Sequence, residues 1–487
     1  MNHKRGKVLL ILLPDVNVIE PFRSASKKHS PMILGFPLGL GYIASYLRKH
    51  GNYEVRIFDA IQRKSTIEDI LRVIRDYDPL YIGMTTYTVN IKVAVELAKN
   101  IKKNWGNSKI VIAGGPHASD DYQNLLTNYP YFDYVVIGEG ESTVLELLQK
   151  LDLQEGGQIE TVPGIAYIDP ESKAVRVTKP RKLGSVLDDY PYPARDLVDF
   201  NQYIFRENIL PHQAEIMTSR GCTHRCVFCS FQKNWRARSN EAVIQEMKDL
   251  IAKYPSIRSF MIFDDNFSAN KKRVIDLCQK MIAHGLHRYQ WSCLCRVDQV
   301  DREMLDWMKK ARCSKIAYGL ESADPAILKA LNKRIDLETA IKNIELTTKI
   351  GINVLVYLIV GSPGETLETI NTTYRVAKKL KCPAISWGIM QILPGTALAK
   401  MRPQKDFVAY LYEPEVSHPN GSISANVPTF ENPGMNREQI KQIHRKILRK
   451  ITFYKVLRHP TYAIKKLSQT PFSVIRICLQ LVGLAGK

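Results

Sequence analysis

Three cysteines, Cys222, Cys226 and Cys229, stand within eight residues, separated by three and two positions and preceded by Arg220-Gly221. Thiolates are soft ligands that suit iron-sulfur clusters or zinc, and these intervals let one loop wrap three sulfurs around a single site. A closed structural zinc site takes four ligands. The candidate fourth, His224, lies inside the loop itself, so structural zinc is disfavoured. Three thiolates leave one position free. The other six cysteines are of a different kind. Cys293 and Cys295 lie two apart on an expected strand and share a face with Trp291, as packing residues do, and Cys278, Cys313, Cys382 and Cys478 are isolated, so a second cluster is not expected. Nine cysteines in 487 residues, none before Cys222, argue against a disulfide framework and for a reducing, cytoplasmic setting.

Two strand-helix arrays have to position these residues. Lys4, Arg5 and Lys7 precede the apolar run Val8 to Leu13, but Asp15 and Glu20 follow quickly, so the run reads as a first buried strand and not as a signal segment. Further strands are expected at Val55 to Phe58, Tyr81 to Thr85, Ile110 to Ala113 and Tyr134 to Ile137. Helices at Gly39 to His50, Val93 to Lys103 and Ser142 to Leu151 alternate with them. That order implies a doubly wound parallel α/β sheet over residues 1–155, whose ligands sit beyond the carboxyl ends of the strands. Gly83, Gly114-Gly115-Pro116-His117 and Gly138-Glu139-Gly140-Glu141 gather at those ends, where glycine lets backbone approach a ligand or simply makes a tight turn. Gly35 to Gly41 lacks the spacing of a dinucleotide site, so NAD is disfavoured.

A hairpin around Asp169-Pro170-Glu171 and a proline-rich stretch from Leu187 to Arg195 make residues 156–205 a hairpin and linker. A second alternation follows over residues 206–400. Its strands are expected at Ala214 to Thr218, Ser259 to Phe263, Trp291 to Cys295, Lys315 to Leu320, Val354 to Val360 and Ile385 to Ile389, with helices such as Glu241 to Lys253 and Lys271 to His284 between them. Six such units predict a partial (β/α)6 barrel with its chemistry at the carboxyl ends of the strands.

The cysteine spacing, with Phe228 before the last cysteine and the first barrel strand just ahead, resembles the signature of the radical S-adenosylmethionine superfamily. The resemblance implies a four-iron, four-sulfur cluster on Cys222, Cys226 and Cys229. Its open iron would be chelated by the amino and carboxylate groups of S-adenosylmethionine, which one electron cleaves to methionine and a 5'-deoxyadenosyl radical. It also implies a low-potential electron donor such as flavodoxin or ferredoxin. Asp264-Asp265-Asn266-Phe267, Arg296, Gly319-Leu320-Glu321-Ser322 and Gly361-Ser362-Pro363-Gly364-Glu365 each follow a strand and resemble corresponding stretches of the superfamily. By that analogy Phe228, Arg296 and Glu321 border S-adenosylmethionine, with a rim salt bridge as the other reading of Arg296 and Glu321. Asp264 and Asp265 either contact substrate or cofactor or cap the following helix.

The domain order, Phe36-Pro37-Leu38-Gly39-Leu40, the two glycine loops and the Asp188 to Arg195 linker together resemble the cobalamin-binding branch of this superfamily, over about the first 400 residues. This implies a corrinoid at the carboxyl edge of the first sheet, held by Gly114, Gly115, His117, Gly138 and Glu139 and facing the cluster. No Asp-x-His-x-x-Gly motif follows the first strand, so the lower axial ligand is not expected to be a histidine of that loop; His117 either touches the corrin or caps a helix. The methylthiotransferase branch relies on cysteines in its N-terminal domain, and this chain has none there.

The formal charge of +21 points to an anionic partner, and the lack of a helix-turn-helix or aromatic-basic motif disfavours nucleic acid. Residues 401–487 are expected to be helical and basic. Ile440, Ile443, Ile447, Ile451 and Tyr454 recur at helical spacing, and between Arg437 and Lys466 the one acidic residue is Glu438. Phe472 to Leu484 is apolar, interrupted by Arg476 and too short to span a bilayer. The region reads either as a peripheral membrane contact or as a helix packed on the barrel with a solvated basic face. The expected reaction is methylation of an unactivated carbon in a lipid or other hydrophobic small molecule. Radical cyclisation, ring contraction or another carbon-carbon rearrangement is the nearest alternative, and a non-catalytic corrinoid or iron-sulfur sensor is the rival of another class.

Overall fold

The computed structural model describes residues 5–14, 35–153, 158–204, 210–230, 234–401, 431–432 and 434–458. In the first half, β1 (Arg5–Leu12), α1 (Leu38–Gly51), β2 (Tyr53–Asp59), α2 (Ile67–Tyr77), β3 (Tyr81–Thr85), α3 (Ile91–Trp105), β4 (Ile110–Gly114), α4 (Pro116–Asn128), β5 (Tyr134–Val136) and α5 (Glu141–Asp152) alternate along the chain. The strands order as β2-β1-β3-β4-β5, all parallel. The unbroken apolar run in β1 is explained by its two faces. Val8, Leu10 and Leu12 enter one core and Leu9 and Ile11 the other, so the sheet is covered on both sides. β6 (Ile165–Ile168) and β7 (Val175–Val177) form the expected hairpin, which extends the sheet antiparallel beyond β5. Strand order reverses at β1 and β3, the place where open α/β sheets leave a crevice beyond their carboxyl ends.

The second half comprises α6 (Asn201–Ile204), β8 (Gln213–Ile216), the short ribbon β9 (Ser219–Arg220) and β10 (Arg236–Ala237), and then α7 (Asn240–Lys253), β11 (Ser259–Ile262), α8 (Lys271–Ala283), β12 (Gln290–Arg296), α9 (Arg302–Lys310) and β13 (Cys313–Glu321). It continues through α10 (Pro325–Ala330), α11 (Leu337–Lys349), β14 (Asn353–Val360), α12 (Leu367–Lys379), β15 (Ala384–Ile389), α13 (Ala397–Lys400) and α14 (Arg437–Arg458). Six parallel strands order as β15-β14-β13-β12-β11-β8, and β15 does not return to β8, so the barrel is open. Ser239, Asn270, Asp301, Asp324, Asp336 and Thr366 each cap the helix that follows with a side-chain oxygen, which starts six helices at defined points above the strand ends.

The outer face of this sheet packs on the helices. Val354, Val356, Leu358 and Val360 of β14 and Trp291, Cys293 and Cys295 of β12 all lie in one core, which accounts for those two cysteines as packing residues. α14 closes the β15 edge by burying Ile440, Ile447 and Ile451, with His444 Nε2 2.7 Å from the Trp387 carbonyl and Lys455 donating to the Leu380 carbonyl at 2.6 Å. Arg445, Lys446, Arg449 and Lys450 stay exposed. The helix is thus packed on the barrel with a solvated basic face. Residues 459–487, including the apolar stretch Phe472 to Leu484, lie outside the described residues. Among the described residues no helix is long and apolar enough to cross a membrane.

Candidate active site

The cysteine loop leaves β8 and is anchored before its first thiol. Asp264, at the end of β11, accepts from Thr218 N, Thr218 Oγ1 and Ser219 Oγ, each at 2.6 Å, and Asp265 accepts from Gly221 N at 2.8 Å. The paired aspartates therefore hold the entrance of the loop. Farther along, Asn332 Nδ2 donates to the Arg225 carbonyl at 2.7 Å, Val227 N to the Leu331 carbonyl at 3.1 Å and Leu398 N to the Val227 carbonyl at 2.9 Å. Phe228 packs with Val227 on Ile327, Leu331, Met390, Ile392 and Leu398. Cys229 N turns back to the Cys226 carbonyl at 3.2 Å. Other elements thus shape the backbone around the three half-buried cysteines, none of which is in a disulfide. Among the described residues no three His, Cys, Asp or Glu side chains converge to hold a single metal ion. Thiolates that each bind a different iron of a cluster need no such convergence.

Arg296, at the end of β12, points Nη1 at Cys226 Sγ, 3.9 Å away. Its Nε lies 2.8 Å from Asp298 Oδ1, and Nη2 donates to the Lys333 carbonyl. Lys333 Nζ reaches Glu321 Oε1 at 3.0 Å. A register shift in β13 between Gly319 and Glu321 accompanies a φ of +69° at Glu321. Non-glycine residues avoid that conformation, and the surroundings must enforce it. Gly319 leaves the room, since a Cβ there would run into the Glu321 carboxylate and lie 3.1 Å from Lys333 Nζ. Arg296 and Glu321 each make a rim salt bridge, to Asp298 and to Lys333, and Arg296 in addition lies beside Cys226 of the cysteine loop. His224, in that loop, is pushed below its usual range by burial and by the Arg296 charge. Glu365 accepts from Gly361 N at 2.5 Å and Ser362 N at 3.1 Å, and burial pushes its carboxyl up to about 7.

On the first sheet, Gly114 ends β4 and meets nothing nearer than Val136 Cβ at 4.0 Å if a Cβ is added, so the strand end there is an open ledge. Gly115 has φ +94° and lies against the Thr86 backbone, where a Cβ would come within 2.8 Å of the carbonyl oxygen. His117 is buried in the first turn of α4, with Nδ1 3.1 Å from Thr88 Oγ1 and Nε2 3.8 Å from Asp121. Burial pushes it down to about 4, so it is neutral at pH 7. Gly138 N donates to Ser119 Oγ at 3.0 Å. Glu139 turns toward the barrel, where Arg220 and Arg236 hold its carboxylate. Sequence spacing offered no signal for these arginine partners or for Lys333, which lie far along the chain or on another element.

The residue 216–377 segment matches the model of the Radical SAM superfamily, and residues 34–148 match that of the B12 binding domain. An uncharacterized methyltransferase of Pyrococcus horikoshii is 35% identical over 396 residues, covering 80% of this chain and 83% of that protein. The anaerobic magnesium-protoporphyrin IX monomethyl ester cyclase of Cereibacter sphaeroides is 27% identical over 77% of this chain and 61% of its own length. The solved structure of the cobalamin-dependent S-adenosylmethionine radical enzyme OxsB, with aqua-cobalamin and S-adenosylmethionine bound, superposes with a TM-score of 0.68 at 20% identity, over 82% of this chain and 60% of that one. The chain belongs to the cobalamin-binding branch of the radical S-adenosylmethionine superfamily, and it is a radical S-adenosylmethionine enzyme.

Proposed function

We propose that this enzyme methylates an unactivated carbon of a hydrophobic small molecule, holding a four-iron, four-sulfur cluster on Cys222, Cys226 and Cys229 and cobalamin on the ledge at Gly114, Gly115 and Gly138. When bound, the reduced cluster with S-adenosylmethionine supplies a radical that takes hydrogen from carbon, and cobalamin supplies a transferable methyl group. The observation that carries this reading is the meeting of the cysteine loop with the carboxyl edge of the first sheet, through Arg220, Glu139 and Glu141. The donor set fits the cluster. Three thiols share one preshaped loop, and the Arg296 guanidinium lies beside Cys226. Arg296 and Glu321 present opposite charges that suit the carboxylate and ammonium of an amino acid.

Apolar residues on the inner face of the open barrel, which also carries Glu215, Ser292 and Lys315, support the substrate class. Leu294, Leu355, Tyr357 and Phe263 point away from the helix-packed core and belong to no buried cluster. Phe263 is 58% and Tyr357 37% exposed. A trough lined this way gains by covering apolar surface at about 25 cal/mol per Å², which favours a hydrophobic molecule over a charged one. Reduction of the cluster requires a low-potential donor such as flavodoxin or ferredoxin. The basic face of α14, with Phe453 exposed beside Arg449 and Lys450, is suited to an anionic membrane surface, from which a lipid substrate would be drawn.

The similarity to the protoporphyrin ester cyclase favours a second reading, radical ring formation with cobalamin in a supporting role. Anaerobic reconstitution followed by incubation of the enzyme with cell lipid extract and methyl-labelled S-adenosylmethionine separates the two. Methylation predicts label in an apolar product. A modified but unlabelled product would establish ring formation, and a reduced, loaded enzyme that forms no 5'-deoxyadenosine would contradict both.

A further inference from the structure

Glu139 and Glu141 lie on the segment that leaves β5, and Arg220 lies two residues ahead of Cys222. In the fold these groups meet. Arg220 Nη1 donates to Glu139 Oε2 at 2.9 Å, and Nη2 donates to Glu141 Oε1 at 2.7 Å. Arg236, paired with Arg220 across the β9-β10 ribbon, donates to the other oxygen of Glu139. The Arg220, Glu139, Glu141 and Arg236 side chains are 12%, 12%, 5% and 9% exposed. The Arg220 guanidinium also lies over the rings of Tyr42, at 4.9 Å, and Tyr190, at 5.1 Å. Two positive and two negative charges balance, and a guanidinium fork spread over two carboxylates fixes direction as well as distance.

We propose that Arg220 is a positioning residue that locks the loop after β5 to the cysteine loop and thereby sets the separation of corrinoid and cluster, an inference that rests on both being held where the proposed function places them. The lock reaches the cluster side directly. Gly221 N is tied to Asp265 at 2.8 Å and the next residue is Cys222, so the Arg220 fork fastens the loop after β5 to the same frame that holds the first thiol. On the other side the backbone of Gly138 and Glu139 belongs to the ledge. A shift of about 1 Å between reacting groups is enough to cost about 100-fold in rate, so this joint governs how far radical formation is coupled to methyl transfer.

The test uses holoenzyme loaded with cluster and cobalamin, and reads the electron-spin relaxation of cob(II)alamin with the cluster oxidised and then reduced. The wild type is expected to show fast relaxation when the cluster is reduced. Arg220→Gln is expected to lose most of that enhancement at unchanged iron and corrinoid content, with methyl transfer falling about tenfold relative to 5'-deoxyadenosine formation. Arg220→Lys restores the charge without the fork and should fall between the two. Relaxation and product partition unchanged in a folded, loaded Arg220→Gln enzyme would overturn the proposal. If that variant does not fold, Glu141→Gln removes one arm of the fork and is read in the same way. A wild type that takes up no corrinoid contradicts the proposed function instead, and shows it in the visible spectrum before any variant is made. The lock is then read by hydrogen exchange. Faster exchange in Arg220→Gln at both 138–141 and 221–229 supports it, and faster exchange at the second segment alone overturns it.

Discussion

On the proposed reading, the cysteine loop and the carboxyl edge of the first sheet would hold their cofactors by opposite means. The loop is fastened at nearly every turn, by Asp264 and Asp265 at its entrance and by Leu331, Asn332 and Leu398 along its length. The edge is open at Gly114, and its neighbour Glu139 is turned toward the barrel. A cluster is made of covalent metal-thiolate bonds and needs a few donors in fixed places. A corrin is a broad disc and needs backbone that keeps out of its way. The loop is therefore written as a motif, and the ledge as an absence of side chains on a common fold.

The largest effect separating the two belongs to the thiols. Cys226→Ala is expected to abolish 5'-deoxyadenosine formation while leaving cobalamin uptake intact, a loss beyond the about 10- to 100-fold typical of groups that merely neighbour a ligand. Joint loss of both cofactors would break the comparison. Next comes the fastening itself. Asp264→Ala strands Thr218 N, Thr218 Oγ1 and Ser219 Oγ in a buried place and should cost about 3–5 kcal/mol in denaturant unfolding, with cluster content falling in step.

The barrel rim carries a pH dependence opposite in sign to that of His117 beside the ledge, whose depressed pKa favours folding as pH rises. The Glu365 carboxyl is raised from 4.5 to about 7 by burial, so its ionisation opposes folding. Its contribution is complete below about 4.5 and is lost as pH rises toward about 7, with a total of about 3 kcal/mol. Glu365→Gln should remove that part of the slope, so unfolding at pH 5 and pH 8 should differ less in the variant than in the wild type. The smallest effect concerns the ledge. Gly114→Val places a strand-favouring side chain into open space and should change stability by less than about 0.5 kcal/mol. The same variant should weaken cobalamin uptake about tenfold by raising the floor under the disc. A variant with normal uptake would show that the corrinoid does not rest there.

Much of this was legible in the sequence, for physical reasons that also mark where legibility stops. β1, β3 and β14 are apolar runs bounded by turn residues, and they lie where such runs are expected. Helices α2 and α4 were not among the named expectations, although Thr66 and Asp69 form a capping box at the start of α2. α4 is harder to see because it opens on Gly114-Gly115-Pro116-His117, which reads as a turn. Asp264 and Asp265 stood out as a pair at a strand end, but the groups that donate to them lie more than forty residues away, and no local pattern shows an aspartate fastening another strand's loop. The same holds for Arg220 and Glu139, whose pairing joins the two halves of the chain. Short-range rules reach caps, faces and metal motifs; contacts between halves need the fold.

In the proposed enzyme one iron of the cluster remains open for S-adenosylmethionine, and everything else depends on it. Low-temperature electron paramagnetic resonance of the anaerobically reduced enzyme, recorded before and after adding S-adenosylmethionine, reads that iron. A reduced four-iron signal that shifts on addition, followed by release of 5'-deoxyadenosine, is the predicted result. A signal that S-adenosylmethionine leaves unchanged, with no 5'-deoxyadenosine formed, would contradict it.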